Sequence, residues 1–225
     1  TRNEALAVCD ERLMEAVLER GTLTPEELIP AIARRHVFPC WFGAALKLEG
    51  VDALLAAIEK ALGPVPLIAE DLGVQTDEVK ELLEESGFPG MRVLIFGFTP
   101  DYDNEHLPHN YKPNSIVYTS THDSQTVCEQ IMDICSEPEK QFAYRYLRTS
   151  HAEAMGWSAI KCVWASPAHI AMTTLQDLLS LGADARMNTP ATIGGKNWRW
   201  RVRAEALNPT VAALLGDITK TYMRG

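Results

Sequence analysis

Apolar residues recur at helical spacing over residues 4–20, where Leu6, Cys9, Leu13, Ala16 and Val17 share one face and Gly21 suits a C-cap. That spacing predicts one helix. Thr24-Pro25-Glu26-Glu27 then sets a capping threonine before a first-turn proline and glutamates, predicting a second helix through about Ala33. The two read as a helical hairpin. Val37 to Gly50 opens aromatic and apolar, is ambiguous in pattern, and could close as a short strand ending at Gly50. From Val51 to Leu62, Leu54, Leu55, Ile58 and Leu62 again fall on one helical face, and Gly63-Pro64 stops it.

Beyond residue 65 the pattern alternates between strand and helix. Pro66 to Glu70 reads as a short buried strand, Thr76 to Ser86 as a capped amphipathic helix closed by Gly87, and Arg92 to Phe98 as the next strand. A polar loop runs through Asn114. Ser115 to Thr119 is then a β-branched strand that ends in His122-Asp123 and a polar turn. Three strands with crossover-length connections imply parallel pairing with helices outside, an α/β fold.

The remaining chain predicts helices over Ser124 to Cys135 and Glu137 to Glu153. Within the apolar stretch Ser158 to Thr174, a helix could begin at Pro167, or Ala168 to Leu175 could be a fourth buried strand; a short helix and turn follow at Gln176 to Gly182. Asn197 to Arg203 alternates Trp198, Trp200 and Val202 against polar neighbours, the period of a strand. A last helix runs from Thr210 to Tyr222 behind Asn208-Pro209. No repeat or low-complexity linker interrupts the 225 residues.

Composition narrows the function. A hydrophobic content of 46% suffices for a core, and no window reaches the roughly 18 apolar residues of a membrane helix. The polar, helix-forming start TRNEALAVCDER lacks a secretory signal, so the expected compartment is cytoplasmic and no membrane partner is expected. A formal charge of -9 argues against nucleic acid, which needs a basic face. Five cysteines without a CxxC spacing fit reduced, mostly buried thiols better than a disulfide frame or a zinc site.

Candidate chemistry gathers at strand ends. Glu70 and Asp71 close one predicted strand and Asp123 closes another. Glycoside cleavage needs a protonated carboxyl to donate to the leaving oxygen and ionised ones to stabilise the oxocarbenium-like centre. An apolar strand end partly desolvates a carboxyl and keeps it protonated, which makes Glu70 the candidate acid/base. The same pair fits capping or ion pairing at the next helix, and His122-Asp123 fits an Asx-type turn; local pattern does not choose. Gly182 to Trp200 mixes amides, glycine turns and tryptophans, as sugar clefts do, although core tryptophans on a strand would look alike. The loop Asp101 to Lys112 is rich in Asp, Asn, His and Tyr but matches no metal-ligand spacing.

Taken together, PLIAEDLG at 66–73, GFPGMRVLIF at 87–96, LPHNY at 107–111, YTSTHDSQT at 118–126 and LGADARMNTPATIGGKNWRWR at 181–201 resemble the 4-α-glucanotransferases, family 77 of the glycoside hydrolases. The resemblance implies a (β/α)8 TIM-barrel of which this chain holds the later strands over 51–225, with an N-terminal helical segment over 1–50 outside the match. It implies retaining transfer of an α-1,4-glucan segment to glucose or a maltooligosaccharide. Glu70 matches the general acid/base, Asp123 the transition-state stabiliser and His122 a sugar-binding histidine. Asn188, Asp101 and Trp198 are the further expected substrate contacts. No metal or organic cofactor is implied. The family's nucleophile lies in an Arg-x-Asp-His motif, whereas no Asp here follows an Arg by two residues. The missing N-terminal half of the barrel is therefore an expected partner.

Overall fold

The expected helix over 4–20 is two helices, α1 (Arg2–Ala7) and α2 (Glu11–Arg20), in a computed structural model that describes residues 2–34, 36, 50–63, 67–73 and 76–224. Asp10 breaks the run. Its backbone is extended, and its carboxylate caps α2 by accepting the Arg12 N–H while also pairing with Arg34 at 2.7 Å and His36 at 2.9 Å. Those partners outweigh one more turn of helix. Next, α3 (Pro25–Ala33) forms as expected, with Glu27 accepting the Thr24 N–H at 2.9 Å. The last described helix of this unit is α4 (Val51–Leu62). Residues 37–49, the ambiguous stretch that could close as a short strand at Gly50, lie outside the described residues.

Chain contacts group Thr1–Val65 as one unit and Pro66–Gly225 as another. The second begins with α5 (Asp77–Ser86), capped by Thr76 and closed by Gly87 in a left-handed conformation at φ 67°. Its centre is a three-stranded parallel sheet, β1 (Gly90–Val93), β2 (Ser115–Tyr118) and β3 (Ile170–Met172), in that order. Met91 lies beside Ile116, and Ile116 beside Ile170.

Several expected boundaries move. Leu67 to Glu70 is not a strand; the Ala69 N–H reaches the Pro89 carbonyl at 3.0 Å just ahead of β1. The strand expected over 92–98 ends at Val93 and tightens into a 3-10 turn, Leu94–Gly97, because the loop crosses it closely: a Cβ on Gly97 would lie 2.9 Å from the His106 carbonyl. After β2, α6 (Val127–Glu129) widens into a π-helix over Gln130–Ile134. The helix expected over 137–153 divides into α7 (Glu137–Leu147) and α8 (Ala152–Trp164), with Arg148 left-handed at φ 57° between them. Helix therefore claims the front of the apolar stretch, and β3 its end.

Core packing explains why α8 wins. Met155, Ala159, Ile160 and Val163 fall on one face and are fully buried with Val93, Val117 and Ile131. Around α8 sit α6, α7, β3, α9 (Leu175–Leu178) and α10 (Pro209–Thr221). Gly156 lets α9 approach, since a Cβ there would lie 1.9 Å from the Asp177 carbonyl. Asn197 to Arg203 is not a strand but a series of turns. Trp198 is left-handed at φ 61°, and Arg201 donates to the nearby Trp198 and Trp200 carbonyls. The described cysteines are free, but only Cys128 is buried; Cys9 is exposed, against the expectation of mostly buried thiols. No described helix is long and apolar enough to cross a membrane.

Candidate active site

Parallel strands deliver side chains to loops at their C-terminal ends, and β2 ends at Tyr118, five residues before Asp123. The turn is closed locally: Ser124 Oγ accepts the Thr121 N–H at 2.9 Å, and Thr126 caps α6 through the Glu129 N–H at 3.1 Å. His122 and Asp123 are thereby presented on a short, fixed turn, both about half exposed.

The loop after α9 folds onto that turn. Asn188 donates its side-chain amide to Asp123 Oδ1 at 2.7 Å, and its backbone N–H donates to the His122 carbonyl at 3.0 Å. The His122 imidazole lies 3.4 Å from the same Asp123 oxygen. The Trp198 ring centre is 5.4 Å from the His122 ring, tilted by 38°. The strained Trp198 backbone is held by its N–H donating to the Met187 carbonyl at 2.7 Å. Four expected residues, His122, Asp123, Asn188 and Trp198, thus meet at one place. Asp123 Oδ2 has no protein hydrogen bond among the described residues.

Glu70 and Asp71 separate in role. Asp71 is buried, accepting the Met91 N–H and the Arg92 guanidinium at 2.7 Å; Arg92 also pairs with Glu105 at 2.9 Å. It anchors β1 rather than capping the next helix. Glu70 is exposed, so the desolvating strand end expected around it is not supplied by the described residues. Burial, and after it the charge of Glu70, push the Tyr118 phenol up. Asp101 is exposed and bonds within its own loop, accepting the Asp103 N–H at 3.2 Å.

Two residues not picked out from the sequence organise the site. Arg186 spans it, with Nε donating to the Asn188 carbonyl at 2.9 Å and the guanidinium reaching the Asp123 carbonyl and Glu129. Asp177 is buried beneath the turn and bonded to Thr119, Ser120 and Val127. The available signal for Asp177 was Thr174-x-x-Asp177, a capping pattern that hides a longer reach. Nearby, burial lowers the pKa of His106, consistent with its Nδ1 accepting the Val93 N–H at 3.1 Å.

A parallel sheet with a polar cluster beyond the end of its central strand defines an α/β protein. The chain belongs to the 4-alpha-glucanotransferase family, whose model matches residues 43–207. It is 41% identical over 171 residues to the 4-alpha-glucanotransferase of Streptococcus pneumoniae serotype 4, covering 76% of this chain and 34% of that protein. The chloroplastic/amyloplastic 4-alpha-glucanotransferase of Arabidopsis thaliana is 45% identical over 150 residues, or 67% of this chain and 26% of that one. The amylomaltase of Streptococcus agalactiae, solved in complex with acarbose, superposes with a TM-score of 0.71 at 37% identity, covering 77% of this chain and 35% of that chain. The chain spans about a third of the length of these bacterial relatives.

Proposed function

We propose that this chain is the later part of a (β/α)8 barrel that transfers an α-1,4-glucan segment from a donor to glucose or a maltooligosaccharide with retention. The observation that carries the reading is the Asp123 carboxylate, half exposed beyond the end of β2 and held on one oxygen by Asn188, in a member of this family. Glu70, as the acid, protonates the leaving glycosidic oxygen, while ionised Asp123 stabilises the positive charge that develops on the ring. A carboxylate nucleophile traps the sugar, and Glu70 then removes the proton of the acceptor hydroxyl. His122 and Asn188 bind sugar hydroxyls, Trp198 offers a pyranose-stacking face, and Asp101 adds a contact from the β1–β2 loop. Bound glucan covers the exposed Glu70 and supplies the desolvation its acid role requires.

The nucleophile comes from outside these residues, from an N-terminal half of the barrel. A second reading rests on the same absence of an Arg-x-Asp pair: a glucan-binding or assembly fragment without chemistry. Incubating maltotriose with the chain joined to an N-terminal barrel half that carries the nucleophile separates the two. Glucose and longer maltooligosaccharides that vanish in Glu70→Gln support transfer. Binding without products supports the fragment reading, and absence of binding rejects both.

A further inference from the structure

Directly under the turn that carries His122 and Asp123 lies a carboxylate with no place in the chemistry above. Asp177, in α9, is 1% exposed. Its Oδ2 accepts the Thr119 hydroxyl at 2.6 Å and the Ser120 hydroxyl, from the two residues that follow β2. Its Oδ1 accepts the Val127 N–H at 2.8 Å, the first residue of α6. One carboxylate therefore grips both ends of the segment that presents the reactive pair. Thr119 also shares a 2.9 Å hydrogen bond with Thr173, just beyond β3, and Ser120 one of 3.3 Å with Thr174.

Asp177 is itself held in place. Its own N–H donates to Thr174 Oγ1 at 3.2 Å, and its carbonyl rests against Gly156 of α8 so closely that no side chain fits there. Three donors converging on two carboxylate oxygens suit the ionised, acceptor-only form. Burial pushes the Asp177 carboxyl up, while the Ser120, Thr119 and Val127 bonds oppose that push.

We propose that Asp177 is a positioning residue for the transfer reaction: it fixes both ends of the Thr119–Val127 segment and so sets where Asp123 stands relative to the sugar. The proposal rests on the reading of Asp123 given above. Asp177 touches no substrate. An amide at this position keeps the volume but turns a donor toward the two hydroxyls, so Asp177→Asn loosens the segment without opening a cavity.

The test compares the wild-type chain with Asp177→Asn and the milder Ser120→Ala. Amide hydrogen exchange, which needs no turnover, should accelerate by roughly tenfold or more over residues 120–127 in Asp177→Asn and by less in Ser120→Ala, with α7 and α8 unchanged. In maltotriose transfer, measured with the chain joined to the nucleophile-bearing N-terminal half of the barrel, kcat should fall by roughly tenfold with KM held within about twofold. Exchange that stays at wild-type rates over 120–127, or that rises equally through α7 and α8, overturns the positioning role. If Asp177→Asn will not fold, Ser120→Ala decides on the same exchange criterion. Transfer that persists in Asp123→Asn rejects the reading of Asp123 instead, whatever the exchange shows.

Discussion

Asn188 and Asp123, 65 residues apart in the chain, are joined by a 2.7 Å hydrogen bond from the amide to one carboxylate oxygen. The bond orients Asp123 and leaves its second oxygen without a hydrogen bond among the described residues. Asn188→Ala removes the donor and, in the chain joined to the N-terminal half that supplies the nucleophile, should lower maltotriose transfer by roughly tenfold in kcat/KM. Asn188→Asp should be worse, because it sets a second negative charge against Asp123. Glucose release from maltotriose measures both, and equal losses would contradict the charge argument.

The first unit should be acid-sensitive through Asp10. Its pairing with Arg34, then with His36, holds the Asp10 carboxyl well below the ordinary value of 3.8. A depressed folded pKa contributes stability above the unfolded value that is lost as the pH falls toward the folded one. Thermal melts of the wild type should therefore weaken progressively below about pH 4. Asp10→Asn should be less stable at neutral pH and show a flatter acid dependence.

Gly156→Ala forces a methyl into the Asp177 carbonyl, where a Cβ would sit at 1.9 Å. Either α8 or α9 must shift, at a cost of roughly 1–3 kcal/mol or more. Urea unfolding of the second unit reads the loss directly. A neutral result would mean that α9 is not seated against α8 as described.

Near the C-terminus, Arg224 gathers three carbonyls that follow or end α8: Trp164 at 2.9 Å, Ser166 and Ala168. Arg224→Ala leaves partly buried carbonyls without a charged donor and should cost about 2 kcal/mol. Arg224→Lys should recover only part, because a point ammonium cannot fork to three acceptors. Denaturant midpoints rank the three proteins.

How much of this was legible in the sequence follows from how local each determinant is. Helices α3, α4, α5 and α10 could be read because their caps and stops, such as Thr24-Pro25, Thr76 and Gly87, or Asn208-Pro209, act within a few residues. The β-branched run at Ser115–Tyr118 was equally clear, and so was the His122-Asp123 turn beyond it. Asp10 could not be read as a break, since Arg34 and His36, which reward it, lie more than 20 residues away. The alternation in Asn197–Arg203 has a strand's period. There is no strand, because Trp198 is left-handed and bonded to Met187, a contact that no local pattern encodes. Asp177 and Arg186 escaped notice for the same reason: each acts on residues about 50 or more positions away.

The Asp177 grip also fixes an order of events during synthesis. At about 5–20 residues per second, the ribosome releases the His122-Asp123 turn several seconds before Asp177 emerges, 50 residues after Val127. In that interval the nascent turn has its Ser124 and Thr126 bonds but neither the carboxylate beneath it nor the Asn188 amide above. It remains a surface loop on an incomplete sheet, because β3 also arrives later. His122 and Asp123 are thus synthesised before the residues that hold them, and their turn is complete only when Asp177 and Asn188 have folded back upon it.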